Sequence, residues 1–396
     1  MSRLFTILGA GSGQPTDLTR QAREAMAQCT LLLSTDRLAG QLSSLGKIQT
    51  CPTGKLAETA LAAPDERVGI LVSGDTGFFS AAKTLQSALQ AQGDVEIVCG
   101  LNSMQMLCAK LGISYDDVVW LSLHGRKGSL LGAVSYNRKV FALTGGAQNA
   151  QALCQSLVDA GLGGVRVSLG ENLGAADERI QTGTAEELAK EPCGNLAVLL
   201  IENDTPGQTG RPIYDEDMER GNVPMTKQEA RWVGVNLLDL RRDDIVYDIG
   251  AGTGSVSMEM ARRASVVYAV ERSIDGIALI DRNRRELGCF NVLPIEGEAP
   301  DVLQGLPAPD AAFIGGSGGT LYETLSLLKD RNPKIRVVVS AVSLETLSDA
   351  QIALGALNFE QITVSQISAV RGKKAEGSTP FQANNPIYLL YGGPKR

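Results

Sequence analysis

Val246-Tyr247-Asp248-Ile249-Gly250-Ala251-Gly252-Thr253-Gly254-Ser255 decides the fold of the second half of this 396-residue chain. The apolar residues read as a buried strand. The glycines let the backbone turn sharply into a helix beginning near Ser255, and their missing β-carbons allow a ligand to approach the main chain closely. Asp248 stands at the carboxyl end of the strand, where open α/β sheets bind their ligands.

Working outward, 245–249, 266–270, 292–295, 311–314 and 337–341 read as five successive strands with helical stretches between most of them. Residues 362–370 and 386–391 then read as two more strands, separated by a polar loop (372–385) with no helix of useful length. A mostly parallel sheet finished by an antiparallel hairpin explains the pattern. Thr226 is placed to cap a helix running through Val233 and Leu237-Leu238.

Gly250, Gly252, Thr253 and Gly254 alone would suit NAD as readily as S-adenosylmethionine. The discriminator is Asp248 together with Glu271, which closes the next strand. Glu271 is suited to accept hydrogen bonds from both ribose hydroxyls, and Asp248 to meet the amino-acid end of a methyl donor directly or through water. A dinucleotide needs such a turn chiefly for its pyrophosphate. Gly297, Glu298 and Ala299 follow a strand, and Glu298 offers acceptors for an adenine amino group; a solvated surface charge is the competing reading. Gly315, Gly316, Ser317 and Gly318 leave room beside a transferring methyl and carry amides able to form an anion nest. A plain flexible turn is the alternative.

The first half begins with an apolar strand (4–8) leading into Gly9-Ala10-Gly11-Ser12-Gly13. A helix is expected from about Leu18 to Ala27, capped by Thr16 or Asp17. Further strands are expected at 31–34, 68–72, 95–98, 118–121, 139–143, 165–169 and 196–201, with helices at 79–91 and 149–160. Residues 202–221 are polar, carry Pro206-Gly207, Gly210 and Pro212, and lack apolar periodicity. The division expected is 1–205, a joint at 206–221, and 222–396. A chain of this length calls for two cores.

Hydrophobic residues make up 43%, charged residues 20%, and the formal net charge is −7. That balance gives no overall pull toward nucleic acid, and no basic, aromatic-rich tract follows a phosphate backbone. An anionic substrate would have to be attracted locally. No run of 18 apolar residues and no signal-like N-terminus is present, so a cytoplasmic protein without a membrane partner is expected. The seven cysteines are scattered without a CxxC pair, and there is one histidine, His124. Buried free thiols are expected, and no metal site.

The C-terminal half resembles a component of the precorrin-6Y C5,15-methyltransferase (decarboxylating) family of cobalamin biosynthesis. The resemblance rests on Gly221-Asn222-Val223-Pro224-Met225-Thr226-Lys227-Gln228-Glu229-Ala230-Arg231, on 248–257 and on Phe313-Ile314-Gly315-Gly316-Ser317-Gly318. The N-terminal half is similar to the tetrapyrrole methylases through 7–13, Val72-Ser73-Gly74-Asp75-Thr76-Gly77-Phe78-Phe79, Ser122-Leu123-His124-Gly125-Arg126 and 169–174. Ser12 and Thr76 stand where many relatives carry proline.

The resemblance implies a two-lobed tetrapyrrole methylase fold followed by a class I S-adenosylmethionine-dependent methyltransferase fold. It implies methylation of carbons 5 and 15 of a metal-free or cobalt-bound precorrin-6 and decarboxylation of the C12 acetate. It further implies that Ser73, Gly74 and Asp75 lie near a folded donor between two lobes, and that Gly9, Gly11 and Gly13 shape a substrate-facing entrance. His124 and Arg126 would meet a carboxylate-rich tetrapyrrole. Met225, Thr226 and Lys227 would border the second pocket, with Lys227 and Arg231, one helical turn apart, as clamps for its acid arms. A homo-oligomer is also implied. The rival readings are a methyltransferase of another small molecule and a regulatory protein that binds S-adenosylmethionine without turnover.

Overall fold

The structure is a computed structural model and describes residues 3–123, 129–372 and 374–395. In the first lobe, β1 (Leu4–Gly9), β2 (Leu31–Ser34), β3 (Gln49–Thr50), β4 (Arg67–Val72) and β5 (Asp94–Val98) form a parallel sheet in the order β3-β2-β4-β1-β5. The second lobe contains β6 (Val119–Ser122), β7 (Lys139–Leu143), β8 (Arg166–Glu171), β9 (Arg179–Thr184) and β10 (Ala197–Glu202). Their order is β6-β7-β10-β8-β9, with β10 antiparallel to both neighbours.

The C-terminal sheet takes β11 (Ile245–Ile249), β12 (Val266–Glu271), β13 (Val292–Glu296), β14 (Ala311–Ile314), β15 (Arg336–Ala341), β16 (Gln361–Ile367) and β19 (Ile387–Gly393). Its order, β13-β12-β11-β14-β15-β19-β16, is parallel as far as β15, and β19 runs antiparallel to β15 and β16. Order reverses on the two sides of β11, the switch point at which such sheets open a crevice. Side chains alternate across β11. Val246 enters one core cluster and Tyr247 and Ile249 the other, so helices cover both faces.

The expected mostly parallel sheet with a terminal hairpin is therefore present. Several local expectations are corrected. The first helix is Arg20–Gln28, capped by Thr19, whose hydroxyl accepts from the amide of Ala22 at 3.1 Å; Pro15–Asp17 is a short 3-10 turn instead. The helix expected at 79–91 is limited to Ala82–Leu89, because Phe79 takes φ +48° and breaks helical geometry. Thr226 caps nothing: the helix is Gln228–Leu237 with Lys227 at its N-cap position. The loop 372–385 contributes to a small ladder between β17 (Val370–Gly372) and β18 (Phe381–Ala383). Only Cys108, Cys154 and Cys289 are buried, and Cys99 is exposed.

The polar stretch between the halves is anchored rather than loose. Ile213 and Met218 enter the C-terminal core, and Asp215 is 1% exposed. The halves also meet directly. Ser129 donates its amide to Ser265 Oγ at 2.7 Å, Tyr136 donates to Asn291 at 3.2 Å, and Arg284 donates to the carbonyl of Ala160 at 2.7 Å. Ser265 and Asn291 immediately precede β12 and β13, so the contact lies at the amino ends of the C-terminal strands.

Candidate functional sites

At the carboxyl ends of β11, β12, β13 and β14 a cleft of about 560 Å³ opens. Gly250, Gly252, Glu271, Gly297, Glu298, Ala299 and Gly315 to Gly318 all face it, as the sequence brings them together. Two glycines are required by space. Gly250 has φ +71°, and a β-carbon there would lie 2.7 Å from the carbonyl of Gly316; Gly252 has φ +58°, with its β-carbon position 2.8 Å from the carbonyl of Pro224. Glu271 is oriented by two amides: Oε2 accepts from Gly252 at 2.8 Å and Oε1 from Ser273 at 2.9 Å. A carboxylate accepting two amides still has lone pairs for vicinal hydroxyls. Glu298 shares its charge with Arg272 at 3.0 Å across the exposed mouth.

The wall opposite the glycine turn comes from a segment whose geometry sequence reasoning did not foresee. Asn222, Val223 and Pro224 lie over Gly252. Buried Asn283 ties the start of this strap to the glycine turn, donating to the carbonyls of Glu219 and Thr253, each at 3.0 Å.

Asp248, Thr253 and Gly254 are not on the cleft wall. Asp248 is 1% exposed and accepts a 2.5 Å hydrogen bond from Ser257. Burial pushes its carboxyl up to about 7, and the nearby Glu271 charge adds to the rise while the Ser257 hydrogen bonds oppose it. Its direct role is to fasten the helix after the glycine turn. Gly254 starts that helix at φ +78° against Ile280 and Met258, and Thr253 is buried behind the turn.

Met225, Thr226 and Lys227 also lie off the wall; Lys227 is exposed, and Met225 packs on the core. Arg231 is corrected outright. It is 0% exposed, pairs with Asp215 at 3.3 Å and donates to the carbonyls of Thr226 and Ile213 at 3.1 and 2.5 Å. No part of its side chain is exposed at the surface.

The second cleft, about 430 Å³, lies between the N-terminal lobes at the carboxyl ends of β1, β4, β6 and β7. Gly11, Ser73, Gly74 and Asp75 line it. Gly11 and Gly74 exchange amide-to-carbonyl bonds of 3.1 and 2.8 Å that couple their loops. Asp75 accepts from the amides of Gly77 at 2.8 Å and Gly100 at 2.9 Å, so its carboxylate holds the loop in shape. Gly9 lies behind the wall, where a β-carbon would meet the Gly100 amide at 2.5 Å, and Gly13 packs on Leu38 and Gln41. His124 and Arg126 lie outside the described residues.

Arg37 is a cleft residue the sequence reading passed over. It donates to Ser73 Oγ at 2.8 Å and to Gln41 at 2.9 Å, and burial lowers its pKa. The available signal was its place just after β2, at the carboxyl end of a parallel strand. Among the described residues, no group of three or more His, Cys, Asp or Glu is placed to hold a metal. No helix among them is long and apolar enough to cross a membrane.

A glycine turn at the switch point, an acid closing the next strand and a terminal antiparallel hairpin define a methyltransferase of the S-adenosylmethionine-binding fold class. Residues 217–390 match the family model described as a precorrin methyltransferase domain, and residues 4–189 that of tetrapyrrole (corrin/porphyrin) methylases. A probable cobalt-precorrin-6B C(15)-methyltransferase (decarboxylating) of Methanothermobacter thermautotrophicus is 35% identical over 45% of this chain and 94% of its own length. A precorrin-6Y C(5,15)-methyltransferase [decarboxylating] of Sinorhizobium sp. is 27% identical over 98% of this chain and 95% of its own. Among solved structures, one described as precorrin 8W decarboxylase from Methanobacterium thermoautotrophicum is 34% identical, covers 46% of this chain and 99% of its own, and has a TM-score of 0.44. The chain belongs to the precorrin methyltransferases, with a tetrapyrrole-methylase half preceding the precorrin methyltransferase domain.

Proposed function

We propose that this enzyme methylates carbons 5 and 15 of a precorrin-6 intermediate, metal-free or cobalt-bound, and decarboxylates the acetate on carbon 12. The products are precorrin-8X or its cobalt form, carbon dioxide and two S-adenosylhomocysteines. The carrying observation is that one chain holds two clefts of two methyltransferase architectures, in the order of a relative similar to it from end to end. We assign carbon 5 to residues 1–205 and carbon 15 with decarboxylation to 222–396, joined by 206–221.

The residues of the C-terminal cleft fit S-adenosylmethionine: a cradle that β-carbons would fill and an oriented acid, Glu271, beside it. When bound, that donor supplies a methyl on a sulfonium with a neutral thioether as leaving group. Glu271 accepts from the ribose, Glu298 and Ala299 border the adenine, and the strap 222–224 closes one side against water. Gly315 to Gly318 leave space at the reacting end. In the N-terminal cleft, Asp75 keeps the Ser73–Gly77 loop in the shape that borders the donor.

Each transfer forms a carbon–carbon bond as the carbon–sulfur bond breaks, the ring carbon providing the electron pair and sulfur keeping the one it shared; the macrocycle then sheds a proton to return to its former charge. In decarboxylation the acetate carbon–carboxyl bond breaks, the conjugated ring takes the electron pair, and a proton added at the former acetate CH2 carbon turns it into a methyl group. Alignment and desolvation are what the protein must provide. A homo-oligomer is part of this proposal.

Anaerobic reactions followed by mass spectrometry test it, with Asp75→Ala and Glu271→Gln beside the unaltered chain. The expected product gains two methyls and loses carbon dioxide, and each variant loses one methylation. Donor binding with no tetrapyrrole modified would remove the assignment and favour another acceptor or a regulatory role.

A further inference from the structure

The N-terminal cleft, at about 430 Å³, is of a size for one ligand of ordinary dimensions, ~300–1,000 Å³. The function proposed above requires two there, a donor and a four-ring macrocycle with acid arms. The macrocycle must therefore extend beyond the cleft.

A second space adjoins it. Ser122, at the end of β6, belongs to the wall of the cleft and also to that of a groove of about 460 Å³ between the two halves. The groove follows β6, which among the described residues pairs on one side only, with β7. Trp120 of β6 lines it and is 54% exposed, with its ring edge-on to Phe78, centroids 6.1 Å apart. Phe78 in turn lines the cleft, so an edge-on aromatic pair stands where the two spaces adjoin.

The far wall comes from the C-terminal half and is cationic: Arg242, Arg262 and Arg263 stand against one carboxylate, Asp243. Arg262 is committed to the carbonyls of Gln208 and Arg211, and Arg263 donates to Asn236 at 2.7 Å. Arg242 is exposed and has no hydrogen-bond or ion-pair partner among the described residues. In a chain of net charge −7, this is a local concentration of positive charge, and Arg242 is the member without an internal partner among the described residues.

We infer that this groove holds the carboxylate-bearing edge of the tetrapyrrole being methylated in the N-terminal cleft, with Arg242 as ionic partner of an acid arm and Trp120 against a pyrrole ring. The C-terminal half thus completes the substrate site of the N-terminal half. The inference rests on the function proposed above.

The test uses the full chain with Arg242→Ala, Arg242→Lys and Trp120→Ala, scoring each methylation separately by mass spectrometry at varied tetrapyrrole and donor. Arg242→Ala is expected to raise the tetrapyrrole KM of carbon-5 methylation roughly five- to tenfold, as for one charge-assisted hydrogen bond at a partly exposed site. Donor KM and the carbon-15 step should not move, and Arg242→Lys should recover part of the loss. Trp120→Ala should act in the same direction. An unchanged carbon-5 KM in both Arg242→Ala and Trp120→Ala, with the unaltered chain active, overturns the groove alone. An unaltered chain that methylates neither carbon removes both this inference and the function beneath it.

Discussion

Arg231 and Asp215 form an ion pair of 3.3 Å with both side chains essentially out of water. Arg371 approaches the other Asp215 oxygen at 3.0 Å and grips Glu229 through two nitrogens at 2.7 and 2.5 Å. The joint between the halves, the helix after the strap and the small terminal ladder are thereby held by one charge network. Removing one member of a buried pair costs about 3–5 kcal/mol when the other is left unpaired, but here Arg371 still holds Asp215 once Arg231 is gone. Arg231→Ala should therefore lose about 1–3 kcal/mol in urea unfolding, as its hydrogen bonds to Asp215 and to the carbonyls of Thr226 and Ile213 go. A variant of undiminished stability that bound tetrapyrrole poorly would instead restore the clamp reading.

The Asp248 carboxyl titrates near 7 in the fold against an ordinary 3.8. Between those values the folded state binds more protons than the unfolded, so this group's contribution to stability is full below about pH 4 and is lost as pH rises through 7. Asp248→Asn should flatten the fall in stability between pH 4 and 7. It should also be the more stable protein at pH 8, by an amount on the order of a few kcal/mol. Parallel unfolding curves at all pH values for the two proteins would refute the assignment.

Glu271 has its two oxygens aligned by Gly252 and Ser273 before any donor arrives. Glu271→Gln turns one acceptor into a donor that faces an amide. Titration calorimetry should show donor affinity at the C-terminal site weakened by about 1.5–3 kcal/mol, the worth of a hydrogen bond to a charged group. The N-terminal site should bind as before. Equal loss at both sites would mean that Glu271 acts through global stability.

The C-terminal sheet was readable because its signals are local: apolar runs, a glycine turn and an acid at a strand end. β9 was not, since Arg179–Thr184 is largely polar and pairs on one side only, with β8. Lys227 and Arg231 do lie a turn apart. Spacing on a helix cannot say which face turns inward, and Arg231 turns toward Asp215, sixteen residues back in the chain. Asp248 stands at its strand end as the apolar run implies, but nothing in the sequence marks Ser257 as its partner, so from sequence the carboxylate faces the ligand side. Arg37 was missed because it joins the cleft through Ser73, a residue distant in sequence.

The halves dock at the amino ends of β12 and β13, whereas the C-terminal cleft opens at their carboxyl ends. A six-residue strand such as β12 separates those ends by about 20 Å of packed sheet. Within one chain the packed sheet therefore stands between the face where the halves dock and the C-terminal cleft. On the function proposed above, a half-finished ring would have to round that sheet, or cross to another copy of the chain, to meet the second cleft.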